Sequence, residues 1–316
     1  MEVLDGLSQL LSPLLDPPLR AQIQAIDLTS LSRISLSRLT KTALPNLGRV
    51  ELVSGPAYEE HYDELYRTNF HGGERECSEL IVARLIDDAQ YKRKGLSPFR
   101  ILGLRDPAGR AIGAAHFSVL FLTKSGYAVP YLQYIYIRPE NRRQDLSELL
   151  HTLVLAVTMA LAAKRANTDA IAVPFTLCET EPTVPSEDTA KQGHAVDRSK
   201  IHSKSGSQAL MLRRKYDGRV VSAHVQPGME MGEPPLTYIW VLRANPAVEL
   251  AFEDGDLGKS LIDAYYQSLV DEGFPQENIA QAMRLAEARR DGDAEFCLLP
   301  LSAITRDMYI DIDDNS

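Results

Sequence analysis

The stretch Tyr131-Leu132-Gln133-Tyr134-Ile135-Tyr136-Ile137-Arg138-Pro139-Glu140-Asn141-Arg142-Arg143-Gln144-Asp145-Leu146-Ser147-Glu148-Leu149-Leu150 decides how this chain folds. Its first half is aromatic and aliphatic, and successive side chains of an extended strand point to opposite faces. Tyr134 and Tyr136 therefore share one face of a strand from Tyr131 to Arg138. Pro139 stops that strand, having no N–H for a ladder, and a polar loop follows through Gln144. Beyond it Leu146, Leu149, Leu150, Leu153, Val154, Val157 and Leu161 recur at i, i+3, i+4, i+7, which predicts a helix with one long buried face.

Upstream, Phe99 to Arg105 and Ala111 to Leu122 flank Asp106-Pro107-Ala108-Gly109, residues that a hairpin turn demands. Helices are predicted from about Tyr58 to Phe70 and Ser78 to Gln90, after a short strand, Val50 to Val53. Downstream the pattern predicts a strand from Ala170 to Leu177, a Glu/Pro/Thr/Ser-rich loop from Cys178 to about Val196, and a helix from Asp197 to about Lys215. Strands Arg219 to Val225 and Leu236 to Arg243 follow, separated by a Pro/Gly-rich crossover. Leu257 to Val270 and Gln276 to Arg290 again read as helices. The expected domains are a helical N-terminal extension (1–47), a central α/β domain (48–245) and a helical C-terminal appendage (246–316). The leucines of the extension, including Leu4, Leu7, Leu11, Leu14 and Leu15, fit a helical cover for the main core or a dimer or partner surface.

The 316 residues suit about two domains. With 44% hydrophobic and 24% charged residues, the chain matches folded, soluble proteins rather than disordered or fibrous ones. A net charge of −9 lacks the basic excess of a dedicated nucleic-acid binder, so no nucleic-acid partner is expected. Cys77, Cys178 and Cys297 are odd in number and without metal-ligand spacing, as in reduced intracellular proteins. Glu2 and Asp5 stand where a secretory leader carries Lys or Arg, and the apolar run Leu153 to Ala163 is too short to span a bilayer. The expectation is a cytoplasmic protein with no membrane partner. The histidines show no ligand spacing, so no metal is expected.

The segment from Tyr131 to Leu150 resembles the acyl-CoA-binding segment of the GNAT superfamily of N-acyltransferases. In that family a strand ends in Val-x-Pro, and an Arg-x-x-Gly-x-Gly loop leads into a helix; here Ile137-Arg138-Pro139 and Arg142-Arg143-Gln144-Asp145-Leu146-Ser147 hold those places. The order of elements from about Arg49 to Arg243 is similar too. Phe70-His71-Gly72-Gly73-Glu74-Arg75-Glu76 and Val225-Gln226-Pro227 resemble segments of a bacterial subgroup. The resemblance implies an α/β (α+β) fold: a mixed, mostly antiparallel twisted sheet flanked by helices, with helical extensions at both ends. It implies acetyl-CoA or a longer acyl-CoA as co-substrate. Pyrophosphate would meet the loop's backbone N–H groups and the positive end of the helix dipole. The implied cofactor-binding residues are Ile135, Tyr136 and Ile137, chiefly through their main chain, and Arg142, Arg143, Gln144, Asp145, Leu146 and Ser147 of the loop. The motif strand and the strand after it would splay to admit the pantetheine arm.

Asp145 and Ser147 stand where the family has glycines. A carboxylate facing pyrophosphate is repulsive, and Asp145-x-x-Glu148 also fits a capping box that satisfies the helix by itself. Arg142, Arg143 and Ser147 would still suit the single phosphate of a carrier-bound pantetheine. Amine acylation needs a base for the ammonium and an acid for the thiolate. Glu179, leaving the strand after the motif helix, is the candidate base, and Tyr216, expected beside a helix end before Gly218, the candidate acid. No nucleophile elbow surrounds Ser203 to Ser207 and Cys178 has no evident His partner, so direct attack is expected. The reading is an N-acyltransferase acting on a small-molecule or peptide amine, with an acyl carrier protein as alternative donor or a non-catalytic GNAT-shaped binding module as the alternative class. The acidic Glu179, Glu181, Glu187 and Asp188 would suit a cationic amine.

Overall fold

The computed structural model describes residues 6–70, 75–122, 125–166, 171–180, 200–249, 255–290, 294–305 and 308. The chain forms two compact units. The first holds Met1–Phe121, Gly126–Thr176 and Asn245–Glu249; the second holds Leu122–Ser125, Leu177–Ala244 and Leu250–Ser316. Both are mixed α/β, with mostly antiparallel sheets flanked by helices.

In the first unit the helices α1 (Gly6–Leu11), α2 (Pro17–Ile23), α3 (Leu28–Leu31) and α4 (Leu36–Thr42) make up the N-terminal arm. Side-chain caps delimit them: Asp16 accepts from the Leu19 N–H with Pro17 at the first helical position, Asp27 accepts from Thr29 and Ser30, and Ser35 from Arg38. Asp16 also ties the arm to β1 (Arg49–Leu52), accepting from the Leu52 N–H at 3.2 Å. The arm is therefore part of the first unit, with α2 and α3 packed on the long helix α8 (Leu146–Ala166).

The sheet of this unit runs β1, β2 (Phe99–Arg105), β3 (Ala111–Leu122), β4 (Tyr127–Ile137) in chain order. Leu52 faces Leu102 and Gly103 faces Ala114 in antiparallel ladders. Gly103 has no side chain because the Tyr62 hydroxyl and ring occupy the place a Cβ would take. Between β1 and β2 come α5 (Gly55–Ala57), a π-helical turn Tyr58–Tyr62, α6 (Asp63–Asn69) and α7 (Ser78–Ala89). Their buried face carries Tyr58, Tyr62, Tyr66, Ile81 and Leu85 onto Phe99, Ile101 and Tyr136. Each fully buried side chain of this size contributes about 1.5–3 kcal/mol over exposure. By length and composition, Leu146–Arg165 could cross a membrane, but 67% of it is buried, as befits a core helix that is apolar on nearly all sides.

β5 (Phe175–Thr180) passes from the first unit into the second, and β6 (Gln208–Arg214) is the centre of the second unit's sheet. It pairs antiparallel with β8 (Ile239–Ala244), β7 (Val220–Ser222) and β9 (Ala294–Pro300), the last in register from Gln208–Pro300 to Arg214–Ala294. Two departures from the sequence reading fall here. The segment expected as one helix from Asp197 to Lys215 is a helical turn over 200–204 and then β6: Ala209, Leu210, Met211 and Leu212 are all buried between neighbouring strands, where pairing outweighs their helix propensity. The C-terminal region is also more than a helical appendage, since β9 follows α9 (Gly255–Glu272) and α10 (Gln276–Arg290) and completes the sheet. Gly258 leaves room on α9 for the Phe296 ring of β9. Most of the loop expected from Cys178 to Val196, with Glu181, Glu187 and Asp188, lies outside the described residues.

Candidate functional site: a basic loop and a buried Glu–His pair

In the first unit, Pro139 opens a 3-10 turn, Pro139–Asn141, that takes the chain off the end of β4, and Arg142 returns to extended backbone. Arg143 (φ 62°) and Asp145 (φ 57°) then take left-handed conformations. Such backbone costs a residue with a Cβ about 1–2 kcal/mol, Asn and Asp tolerating it best. Asp145 thus adopts a glycine-type backbone while carrying a carboxylate.

That carboxylate is engaged from the arm. Arg38 donates through Nε to Oδ2 at 2.7 Å and through Nη2 to Oδ1 at 2.5 Å, and the Thr42 hydroxyl donates to Oδ2 at 2.9 Å. Arg38 and Thr42 lie at i and i+4 on α4 and so share one face. Asp145 retains only 10% side-chain exposure against 60% for Arg38, and the guanidinium holds its carboxyl below the usual range. Asp145 departs from the extended backbone of an ordinary cap, being left-handed with both side-chain oxygens bonded to α4. The repulsion expected between this carboxylate and a pyrophosphate is offset by a fixed opposite charge.

The other candidate residues divide. Arg143 and Ser147 are exposed, and among the described residues Arg143 makes no side-chain hydrogen bond or ion pair. Arg142 is exposed, donating from Nε to the Ile137 carbonyl and from Nη2 to Asn69 Oδ1, both at 3.3 Å. The Ile137 carbonyl, expected to serve a pantetheine arm, therefore already has a donor. Gln144 accepts from Asn141 at 3.4 Å, Leu146 is a buried anchor of α8, and Ile135 is half-buried. The Tyr136 side chain is a core residue, its hydroxyl 2.9 Å from Nε2 of the buried His116, and so is not offered to a cofactor. Tyr66 and Phe70 pack against its ring, Tyr134 packs on both of those, and Glu76 and Arg84 form a buried ion pair in the same unit.

In the second unit Glu179, on β5, keeps 15% side-chain exposure, with its Oε1 fully buried and 2.6 Å from Nε2 of His224. His224 is 1% exposed, stacked on Trp240 at 4.5 Å with Tyr265 edge-on at 4.9 Å. Its carbonyl accepts from Arg289 Nη1 at 2.9 Å. Burial lowers the His224 pKa; Glu179 opposes that shift and Arg289 adds to it. Next to Glu179, burial pushes the Cys178 thiol up to about 12, a poor nucleophile. Tyr216 is 70% exposed on the hairpin turn between β6 and β7, its hydroxyl accepting from Arg214. The helix end that made it a candidate acid is absent, because the segment is strand. Among the described residues no group of three His, Cys, Asp or Glu converges as metal ligands do.

Arg38, Thr42 and His224 were not singled out from sequence. The first two lie 107 and 103 residues from their partner, and no spacing rule reaches that far. His224 had a faint signal, directly preceding Val225-Gln226-Pro227.

No family model matches the chain. No curated protein matches it in sequence. Among solved structures it is similar to a protein from Klebsiella pneumoniae subsp. pneumoniae MGH 78578 classed as an acyl-CoA N-acyltransferase. That similarity is at 19% identity and TM-score 0.26, over 52% of this chain and 88% of that one. It is similar also to the ribosomal-protein-S18-alanine N-acetyltransferase of Escherichia coli, at 17% identity and TM-score 0.25, over 57% of this chain and 94% of that one. At such identity and superposition neither likeness assigns a family, and the functional reading stands on the chain's own residues.

Proposed function

We propose that the chain is a GNAT-type N-acyltransferase that moves an acyl group, acetyl or longer, from coenzyme A to a primary amine. One observation carries the reading: Asp145 holds the backbone of the family's loop glycine, with its charge neutralised by Arg38 and Thr42. A left-handed loop at the start of α8 suits the approach of a phosphate to its backbone, and Arg142, Arg143 and Ser147 add charge and a hydroxyl there. The amine nitrogen attacks the thioester carbonyl. The C–N bond forms, the C–S bond breaks, and coenzyme A leaves as a thiol, taking the second proton that the nitrogen loses as the amide forms. The ammonium gives up one proton before it attacks; Glu179, the candidate acceptor read from sequence, lies in the second unit beside His224. Tyr216 has no role in this scheme.

The test is release of free coenzyme A thiol from acetyl-CoA and a long-chain acyl-CoA, with a panel of primary amines that includes lysine-like and peptide acceptors. Amine-dependent release supports the reading. Release only from a carrier-bound phosphopantetheine donor moves the donor to an acyl carrier protein, and no release from either, with no donor binding, leaves a non-catalytic module.

A further inference from the structure

The end of β6 and the turn into β7 read Arg213-Arg214-Lys215-Tyr216-Asp217-Gly218-Arg219, a stretch that takes no part in the acyl transfer proposed above. Gly218 (φ 70°) supplies the left-handed backbone that closes the turn and donates to the Arg214 carbonyl at 2.9 Å, while the Arg214 N–H donates to the Arg219 carbonyl at 2.8 Å. With Arg213 opposite Val220 in the ladder, Arg214 falls opposite Arg219. Like charges directly opposite one another cost a hairpin stability, so the fold gains nothing from this pair of guanidinium groups. Arg213, Lys215, Tyr216 and Arg219 are exposed, and Arg214 is half-buried.

The carboxylates beside these cations are already engaged. Asp217 accepts the Arg219 N–H at 2.9 Å within the turn, and Glu295 of β9, although opposite Arg213 in the ladder, is paired with Lys215 at 2.9 Å. Among the described residues neither Arg213 nor Arg214 has a carboxylate partner. Arg214 donates instead to the Tyr216 hydroxyl at 3.0 Å, with its guanidinium 5.9 Å from the ring centre. The chain holds 43 acidic residues against 34 basic ones, so two neighbouring guanidinium groups without a carboxylate are a local reversal of its sign. A merely solvated turn needs the charges but not the ring. Tyr216 keeps 70% exposure, and Tyr and Arg are the side chains that most often carry binding energy where two proteins meet. A guanidinium takes a carboxylate bidentately. The net charge of −9 repels a nucleic acid or an anionic bilayer that extends past the patch, whereas a short acidic protein segment meets the patch alone.

We propose that this hairpin is a docking surface for an acidic segment of another protein, whose carboxylates bind the guanidinium groups of Arg213 and Arg214 while an apolar side chain of the segment packs on the Tyr216 ring. The surface belongs to the second unit alone and does not rest on the acyltransferase reading.

The experiment measures fluorescence anisotropy of a short fluorescein-labelled Glu/Asp-rich peptide with a central phenylalanine, titrated with the full chain in the absence of any acyl donor. The variants are Arg213→Glu/Arg214→Glu, Tyr216→Ala, and a control, Lys94→Glu/Lys164→Glu, which makes the same change of net charge at exposed positions of the first unit. The wild type should bind saturably, with a dissociation constant below about a millimolar. The hairpin charge reversal should weaken binding at least roughly tenfold, Tyr216→Ala roughly threefold to tenfold, and the control by less than about twofold. Should the charge reversal not fold, Tyr216→Ala, at an exposed turn, decides by itself. Absence of saturable binding by the wild type, undiminished binding by the hairpin variants, or an equal loss in the control overturns the proposal. Single-stranded DNA and phosphatidylserine vesicles are titrated alongside, and tighter hairpin-dependent binding of either than of the peptide overturns the assignment to a protein segment. Self-association in sedimentation velocity that Tyr216→Ala abolishes overturns it as well, since the partner is then a second copy of this chain.

Discussion

Among the described residues the first unit buries His116 and His151 and the second buries His224, and the two least exposed rings, His116 and His224, meet different partners. His116 sits among Tyr58, Tyr66, Tyr134 and Phe99, with its Nε2 on the Tyr136 hydroxyl, and the carboxylate of that core, Glu76, is committed to Arg84. His224 has the Glu179 carboxylate at 2.6 Å, which among the described residues has no arginine bound to it. Burial drives the His116 pKa down to about 3, with the Arg84 charge adding, whereas at His224 Glu179 opposes the same drift. Burial lowers the pKa of both rings. The partner is what differs: a tyrosine hydroxyl at His116 and a carboxylate at His224.

The largest expected effect breaks the comparison from the structural side. Arg84→Met strands the buried Glu76 carboxylate and should destabilise the first unit by about 3–5 kcal/mol in urea unfolding, with turnover per folded molecule unchanged. Loss of turnover at wild-type stability would mean that the first interior takes part in the chemistry. The next effect concerns pH. The folded His116 value of about 3 lies below the ordinary 6.5, so between these values the unfolded chain binds more protons. Stability should rise with pH across that window, by on the order of 1 kcal/mol per pH unit from this group, and level off above it. In unfolding curves from pH 4 to 7, His116→Phe should flatten the slope, and an unchanged slope would remove His116 from the account.

Smaller effects sharpen the contrast between these interiors and the wet loop. Arg38→Gln uncovers the Asp145 charge and should weaken acyl-CoA binding roughly threefold to tenfold at low salt, less at high salt. Adding Asp145→Gly to Arg38→Gln should restore affinity. Asp145→Gly alone should move stability by under about 1 kcal/mol, since relief of the left-handed backbone opposes loss of the Thr42 and Arg38 bonds. A large destabilisation in thermal unfolding would show that the arm depends on that contact.

Much of this was legible in sequence where the signal is periodic. The strand, the proline stop and the Leu146–Leu161 stripe gave β4, the turn and α8, and the Asp-Pro-Ala-Gly turn gave the β2–β3 hairpin. Gln208–Arg214 was misread because Ala, Leu, Met and Arg favour helices, and only pairing with β8 and β9 makes them a strand. The strand β9 escaped because its seven residues lack clean alternation and are half-buried. At the site, the loop's composition was visible but its charge balance was not, since Arg38 and Asp145 meet only through the fold. Glu179 was visible as a residue at a strand end, whereas its partner 45 positions later was not.

The most direct measurement is calorimetric titration of acetyl-CoA and a long-chain acyl-CoA into the wild type and the double variant Arg142→Ala/Arg143→Ala. The account predicts one-to-one binding to the wild type with a dissociation constant on the order of micromolar, weakened at least roughly tenfold in the double variant. No binding by the wild type at millimolar donor, or equal binding by both proteins, would contradict it.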